Sequence, residues 1–202
     1  MNRPHPELIL PTDIARPTPF RLAALLCAFG AAAFAVAVLV GSALAAGNLV
    51  ANGSFENDSN GDGIPNKWSG YLLSTADKRV CNQSKAGSCS FKMNADGNYK
   101  HLIQFASYGG LAGEQFTFSA WIKVKDLVLG AGDARLVVGF GHTDGSLNEV
   151  TIGLPAGTQG WTLDSVLATA DENYNEITAF IICDETTSGK LWVDKFSLVP
   201  VP

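Results

Sequence analysis

Seven consecutive residues, Asp58-Ser59-Asn60-Gly61-Asp62-Gly63-Ile64, set side-chain oxygens at alternate positions and a glycine before the last. This is the first half of a calcium loop, with oxygens at positions 1, 3 and 5, a glycine at 6 for the sharp turn and a backbone carbonyl at 7. Position 9 is Asn66, but position 12 is Ser69, where a bidentate glutamate is needed, so a lone site here is weak. Asn, Asp and Gly are also what any tight loop requires, and the turn reading stays open beside the metal one.

A second group of residues suits sugars. Stacking on a pyranose ring takes an aromatic face, with amide, imidazole or ammonium groups beside it for the hydroxyls. Trp121 lies on the polar side of its segment with Lys123, and Tyr99, His101, Gln104 and His142 carry the same chemistry. Trp68 and Tyr71 follow the acidic loop and suit a rim, whereas Trp161 and Trp192 sit among apolar residues. For each tryptophan, packing in the core is the competing reading. Catalysis finds no motif: there is no G-x-S-x-G, no H-E-x-x-H, no phosphate-binding glycine loop and no Cys-His arrangement with an orienting partner. Glu114, Asp133, Asp164 and Glu176 are scattered acids, and a glycosidase would need two carboxyls facing across a cleft that a small domain without large insertions does not supply. The chain is expected not to be an enzyme.

The elements that must position these residues are strands. Phe116, Phe118, Ala120, Ile122 and Val124 alternate with Thr117, Ser119, Trp121 and Lys123, a period of two that gives one buried and one exposed face. "ARLVVGFGH", "EVTIGL", "WTLDSVLAT", "EITAFIIC" and "KLWVDKFSLV" are further runs rich in Val, Ile, Thr, Phe and Trp. Turn signals separate them, among them Asp96-Gly97-Asn98, Gly109-Gly110, Gly130 to Asp133, Thr143 to Ser146, Gly157 to Gly160 and Ser188-Gly189. About eight to ten strands at this spacing predict an all-β domain, a β-sandwich of the jelly-roll kind, with an immunoglobulin-like sandwich as the alternative. Because the mature cysteines lie close together rather than on distant strands around a tryptophan, the jelly roll is preferred.

The chain has 202 residues, 47% hydrophobic and 16% charged. Leu22 to Gly41 contains no charge, follows Arg3, Arg16 and Arg21, and precedes Ala43-Leu44-Ala45, the pattern of an export signal. The run is also long enough to span a bilayer, so residues 1–47 read as a signal peptide cleaved after Ala45 or as a retained N-terminal anchor helix. In either case the arginines stay cytoplasmic and residues 48–202 are extracytoplasmic, secreted or at the cell surface. Beyond residue 45, 11 Lys and Arg stand against 17 Asp and Glu, which argues against nucleic acid and against anionic membranes as partners, and suits calcium or a neutral sugar.

Cys27 lies in the apolar run, leaving Cys81, Cys89 and Cys183. Cys81 and Cys89 enclose the short polar loop "NQSKAGS" between two strand ends and are expected to form a disulfide. For so short a loop the gain is about 2.5 kcal/mol, which pins the loop rather than the domain. Zinc fits poorly, since His101 and His142 are far off in sequence. Cys183, in an apolar run, reads as a buried free thiol.

"NLVANGSFEND" (Asn48 to Asp58), Trp68, "GSCSFKM", "EQFTFSAWIKV" and the closing "SGKLWVDKFSLVP" (Ser188 to Pro200) together resemble carbohydrate-binding modules of the families 4 and 9 type. Those are jelly rolls with a galactose-binding-like fold, and a bacterial surface-protein variant in which the cysteine pair recurs is similar too. The resemblance spans the mature region and is most specific at "NGSFE" and "LWVDKFSL". It implies a structural calcium between the first and last strands, held by Glu56 and Asp194 with carbonyls near Ser54 and from Lys85 to Gly87. Lys195 stands where the family often has a second acid. The resemblance implies a non-catalytic module whose partner is a polysaccharide or other neutral glycan. The alternative is a structural or adhesive surface domain of the same fold, bound to other surface proteins, with membrane contact only through the N-terminal segment. Intact mass of the exported protein separates the two N-terminal readings: a chain beginning at Ala46 shows a cleaved signal, and one retaining residues 1–45 shows an anchor.

Overall fold

The computed structural model describes residues 47–130 and 133–202; the expected signal or anchor segment lies outside them. Among the described residues there is no helix long and apolar enough to cross a membrane. The described residues form ten strands: β1 (Ser69–Tyr71), β2 (Lys78–Val80), β3 (Ser90–Asp96), β4 (Lys100–Ala106), β5 (Gln115–Val128), β6 (Ala134–His142), β7 (Leu147–Gly153), β8 (Gly157–Thr169), β9 (Tyr174–Cys183) and β10 (Ser188–Pro200). They make two five-stranded antiparallel sheets, sheet A in the order β1-β4-β9-β6-β7 and sheet B in the order β2-β3-β10-β5-β8. β6 pairs with β7, β5 with β8, β4 with β9 and β3 with β10, so the chain is one long hairpin, nested pair within pair and folded over itself. That order is a jelly roll, as the strand spacing predicts, and it differs from the immunoglobulin alternative.

Alternation builds the core. Phe116, Phe118, Ala120, Ile122 and Val124 of β5 meet Leu102 of β4, Leu136, Val138 and Phe140 of β6, and Ile177, Ala179 and Ile181 of β9 in a single apolar layer between the sheets. The opening motif joins this layer at one end. Phe55 is fully buried, with its ring 5.4 Å from that of Trp68 and 6.1 Å from that of Phe91. Gly53 lies so close to β10 that a Cβ would stand 2.0 Å from the Phe196 carbonyl oxygen, which explains why "NGSFE" has glycine there.

Two turn signals fall inside strands instead. Gly157 to Gly160 opens β8, because the fourteen-residue β5 extends to Val128 and pairs Leu127 with Gly157 and Val124 with Gln159. Ser188-Gly189 opens β10, where a side chain on Gly189 would meet the Asp126 carbonyl oxygen. Both glycines sit where the ladder shifts register, so they serve bulges rather than chain reversals. Cys81 and Cys89 form the expected disulfide, closing the loop between β2 and β3, and Cys183 is a buried free thiol that burial pushes up to about 12.

Near one end of the sandwich an ion pair is enclosed. Lys100 is 1% exposed, and its Nζ donates to Asp77 Oδ2 at 3.1 Å, Asp96 Oδ2 at 2.8 Å and the Asn94 carbonyl at 3.1 Å. Burial works against the charged amine, but the hydrogen bonds and charges of Asp96 and Asp77 outweigh it and raise the Lys100 pKa. Asp77 also accepts from Ser74 N, Ser74 Oγ and Asn94 N, tying the segment before β2 to β3. Lys100→Met leaves Asp77 buried without its cation and is expected to cost about 3–5 kcal/mol in urea unfolding. Adding Asp77→Asn to that variant is expected to recover part of the loss.

Candidate functional site

On β4 the inward positions are Lys100, Leu102 and Gln104, so His101, Ile103 and Phe105 face outward from sheet A. Register then sets His101 beside Tyr71 of β1 and Ile182 of β9, Ile103 beside Phe180, and Phe105 beside Thr178. Val137 of β6 continues the Phe180 row, and Thr151 of β7 ends it. Val137, Thr178 and Ile182 point away from the core yet are only 0%, 4% and 5% exposed, so neighbouring side chains cover the middle of this face. Part of that cover lies over Gly139, where a Cβ would stand 2.5 Å from Thr178 Oγ1 and 2.8 Å from a Leu147 methyl.

Aromatic rings gather at one end of this face. Tyr71, 51% exposed, stacks on His101 with centroids 5.0 Å apart and planes 16° from parallel. Tyr99 meets both edge-on, its hydroxyl 3.1 Å from His101 Nδ1, and Phe180 packs its ring against His101 at 5.7 Å. Burial lowers the His101 pKa and keeps the imidazole neutral; burial followed by the Asp184 charge raises that of Tyr99 and keeps the phenol protonated. Arg135, the nearby cation, is bonded by both Asp133 and Asp184. The aromatic end therefore presents polarisable faces, hydroxyls and a neutral imidazole, with its guanidinium already neutralised.

The eight residues expected to contact a ligand do not form one group. Tyr71, Tyr99 and His101 come together. Trp121 and Lys123 lie on the outer face of sheet B, with Lys85 Nζ 4.1 Å above the Trp121 ring. Gln104 faces inward, accepts from Ala51 N at 2.7 Å and donates to the Ala51 carbonyl at 2.8 Å, so its amide clamps the N-terminal segment. Trp68 is not a rim residue, because it is 5% exposed and packs on Phe55 and Phe196. His142 is buried at the end of β6, with Nδ1 2.8 Å from Ser146 Oγ and Nε2 3.0 Å from Asp171 Oδ1. Ser146 Oγ donates to Asp144 Oδ1 at 2.6 Å, so these polar groups close the β6–β7 turn. The sequence reading missed Phe180, because "ITAFIIC" is apolar on both faces and hides which residues look out.

The residues expected to hold calcium fall at two places. Glu56 and Asp194 close on one loop: Glu56 Oε1 accepts from Ser88 N and Cys89 N at 3.0 and 3.2 Å, and Asp194 Oδ2 from Lys85 N and Ala86 N at 2.8 and 2.9 Å. Asp194 is fully buried, and among the described residues neither carboxylate forms an ion pair. Asp194 Oδ1 also accepts from Lys195 N, and Ser84 Oγ donates to the Gly87 carbonyl of the same loop, so these groups have protein partners. What fits a divalent ion is the charge of two acids without a cationic side chain. Ser54 lies two residues before Glu56 and lines a groove with Trp121 and Lys195. In the acidic loop, by contrast, Asp58 accepts from Gly61 N and Gly63 N, and Asp62 accepts from Ile64 N and Asn60 Nδ2. Those are the bonds of a turn, and the Ile64 side chain packs against the core. No group of three or more His, Cys, Asp or Glu side chains suited to a metal occurs among the described residues.

No protein-family model and no curated protein matches this sequence. Among solved structures, the chain is similar to a family 16 carbohydrate binding module, with a TM-score of 0.56 and 17% identity over 75% of this chain and 99% of that one. It is similar also to the CBM22-1 xylan-binding domain from Paenibacillus barcinonensis Xyn10C, with a TM-score of 0.53 and 16% identity over 78% and 96% of the two chains. A third likeness is to the enzymatically active domain of tailspike protein 4 of bacteriophage CBA120, with a TM-score of 0.57 and 14% identity, covering 76% of this chain and 21% of that one. These likenesses establish a β-sandwich fold shared with carbohydrate-binding modules; the narrower resemblance to families 4 and 9 is not what they support.

His101 gives this end of the sandwich a pH dependence. Its folded-state pKa lies below the ordinary value of about 6.5, so the unfolded chain takes up the proton first as pH falls. Stability is level above that value and declines as pH drops through it. Melting temperatures across about pH 5 to 8 are expected to show this slope, and His101→Gln to remove its share of it.

Proposed function

We propose that residues 48–202 are a non-catalytic, extracytoplasmic carbohydrate-binding module of the galactose-binding-like jelly-roll type, which takes a neutral glycan on the outer face of sheet A. The observation that carries this reading is the exposed stack of Tyr71 on His101, with Tyr99 and Phe180 beside it, at one end of the outer face of sheet A. A pyranose ring laid on Tyr71 covers apolar surface on one side and meets the hydroxyl of Tyr99 at its edge. With Arg135 held by two aspartates and His101 neutral, the aromatic end offers no free cation to select an anionic sugar. The disulfide supports an extracytoplasmic setting.

Electrophoresis through gels containing neutral polysaccharides tests this. The wild type is expected to be retarded by at least one neutral β-glycan, and Tyr71→Ala to bind about tenfold or more weakly, as loss of a stacking surface predicts. Trp121→Ala, on the opposite sheet, is expected to leave retention unchanged. If no polysaccharide retards the wild type, the structural or adhesive reading replaces this one.

Within the same proposal, Glu56 and Asp194 hold one calcium ion that ties the opening segment and β10 to the loop between β2 and β3. Calcium is expected to raise the melting temperature of the wild type and to bind once in calorimetry. Glu56→Gln should lose both effects and Asp58→Ala should keep them. An unchanged melting temperature and no heat of binding would remove calcium from the proposal.

A further inference from the structure

The outer face of sheet B has a different chemistry. Register sets Lys78 of β2 opposite Lys92 of β3, Lys92 opposite Trp192 of β10, and Trp192 opposite Lys123 of β5. Two residues along the strands, Lys190 of β10 stands opposite Lys125 of β5. Phe91, Met93, Leu191, Val193, Ile122 and Val124 fill the core side, so all five lysines project from the same outer face. Like charges directly opposite in a sheet repel and lower its stability, and this face contains two such pairs.

Among the described residues, the ion pairs of lysine and arginine belong to Lys100 and Arg135, and none involves these five lysines. Lys123 Nζ donates to the neutral Gln83 Oε1 at 3.0 Å and lies 5.1 Å from the Trp192 ring centre, and Lys85, on the adjoining loop, rests over Trp121. Asp194, the acid buried between β3 and β5, spends its oxygens on the amides of Lys85, Ala86 and Lys195. Asp126 accepts from Thr158 Oγ1 at 3.1 Å. The cations are local, since acids outnumber bases in the chain as a whole by 19 to 14.

The patch has a shape as well as a charge. Lys92, Lys125 and Lys190 border a depression of about 290 Å³ above Trp192, with the amides of Asn82 and Gln83 at its rim. We propose that this face is a second ligand surface, for an anionic polysaccharide whose carboxylate or sulfate groups lie among Lys92, Lys125 and Lys190. The rim amides then meet hydroxyls, which a polyhydroxylated anion has and a bilayer headgroup plane does not present at such density. A depression bordered by three lysines also suits a sugar unit better than the long phosphate track of a duplex. The site is separate from the aromatic group on sheet A and stands whether or not that group binds a glycan.

Gel retardation with polygalacturonate, measured on the whole domain, tests the proposal. Retardation is expected at low ionic strength and should disappear on addition of about 0.5 M salt, where charges on the surface are screened within a few ångströms. The triple variant Lys92→Gln, Lys125→Gln, Lys190→Gln should bind about tenfold or more weakly while melting no lower than the wild type, because it relieves repulsion. Tyr71→Ala should leave retardation by polygalacturonate intact. Absence of retardation, retardation insensitive to salt, or an equally retarded triple variant would overturn the proposal. Equal binding of double-stranded DNA or of phosphatidylserine vesicles, lost in the same triple variant, would overturn the assignment to a polysaccharide.

Discussion

A carboxylate closed off from water has to be satisfied by donors, and Asp194 shows how much of the domain is arranged to do so. It sits in β10 with strands on both sides and takes N–H groups from Lys85, Ala86 and Lys195. The last of these comes from a residue at positive φ, where the ladder with β5 shifts register. That bulge returns Phe196 to the core after Val193 and offers the Phe196 N–H to the Gly53 carbonyl, docking the opening segment. The loop held by the other two amides carries Lys85 over Trp121 and, with Glu56, joins the chain before β1 to β3. Removing this one acid would loosen a strand, a loop and a terminus together.

Around this anchor, strict alternation makes one shared core and two outer faces that need not resemble each other. Sheet A turns outward a group of rings and hydroxyls whose nearby cation, Arg135, is already paired with two acids. Sheet B turns outward a row of lysines around a buried tryptophan, with no carboxylate bonded to them among the described residues. Neither face contributes to the apolar layer, so side chains on either can change with little effect on the packing between sheets. The same fold can therefore present unlike chemistries back to back.

Much of the fold was legible because the code is local: the alternation of β5 identifies its buried side residue by residue, and the disulfide follows from a short polar loop between strand ends. The site was harder to read. Tyr99 and Trp121 both look outward, but only the pairing of strands far apart in sequence decides that they belong to opposite sheets. Gln104 and Trp68 have binding chemistry in isolation and structural work in place, because Ala51 and Phe55 come to meet them from the opening segment. Phe180 was hidden by neighbours as apolar as itself, and the lysine row by being distributed over four strands. Gly157 and Gly189 read as turns because a bulge and a turn ask the same freedom of the backbone.

The nesting of strand pairs also sets an order in time. β6 and β7 are joined by a short turn and meet at little entropic cost, whereas Phe91 of β3 finds Val193 of β10 only after everything between them has been brought back along the hairpin. A topology dominated by distant pairings folds slowly, and its outermost pair is the last to close and the first to open. The aromatic group takes Tyr71 from β1, the first of the described strands, and the lysine row takes Lys78, Lys92 and Lys190 from β2, β3 and β10, so both outer faces draw on the outside of the nest. Partial opening from the ends would take apart both ligand faces before the inner pairs β6–β7 and β5–β8 separate, leaving a core that is still folded but no longer able to bind.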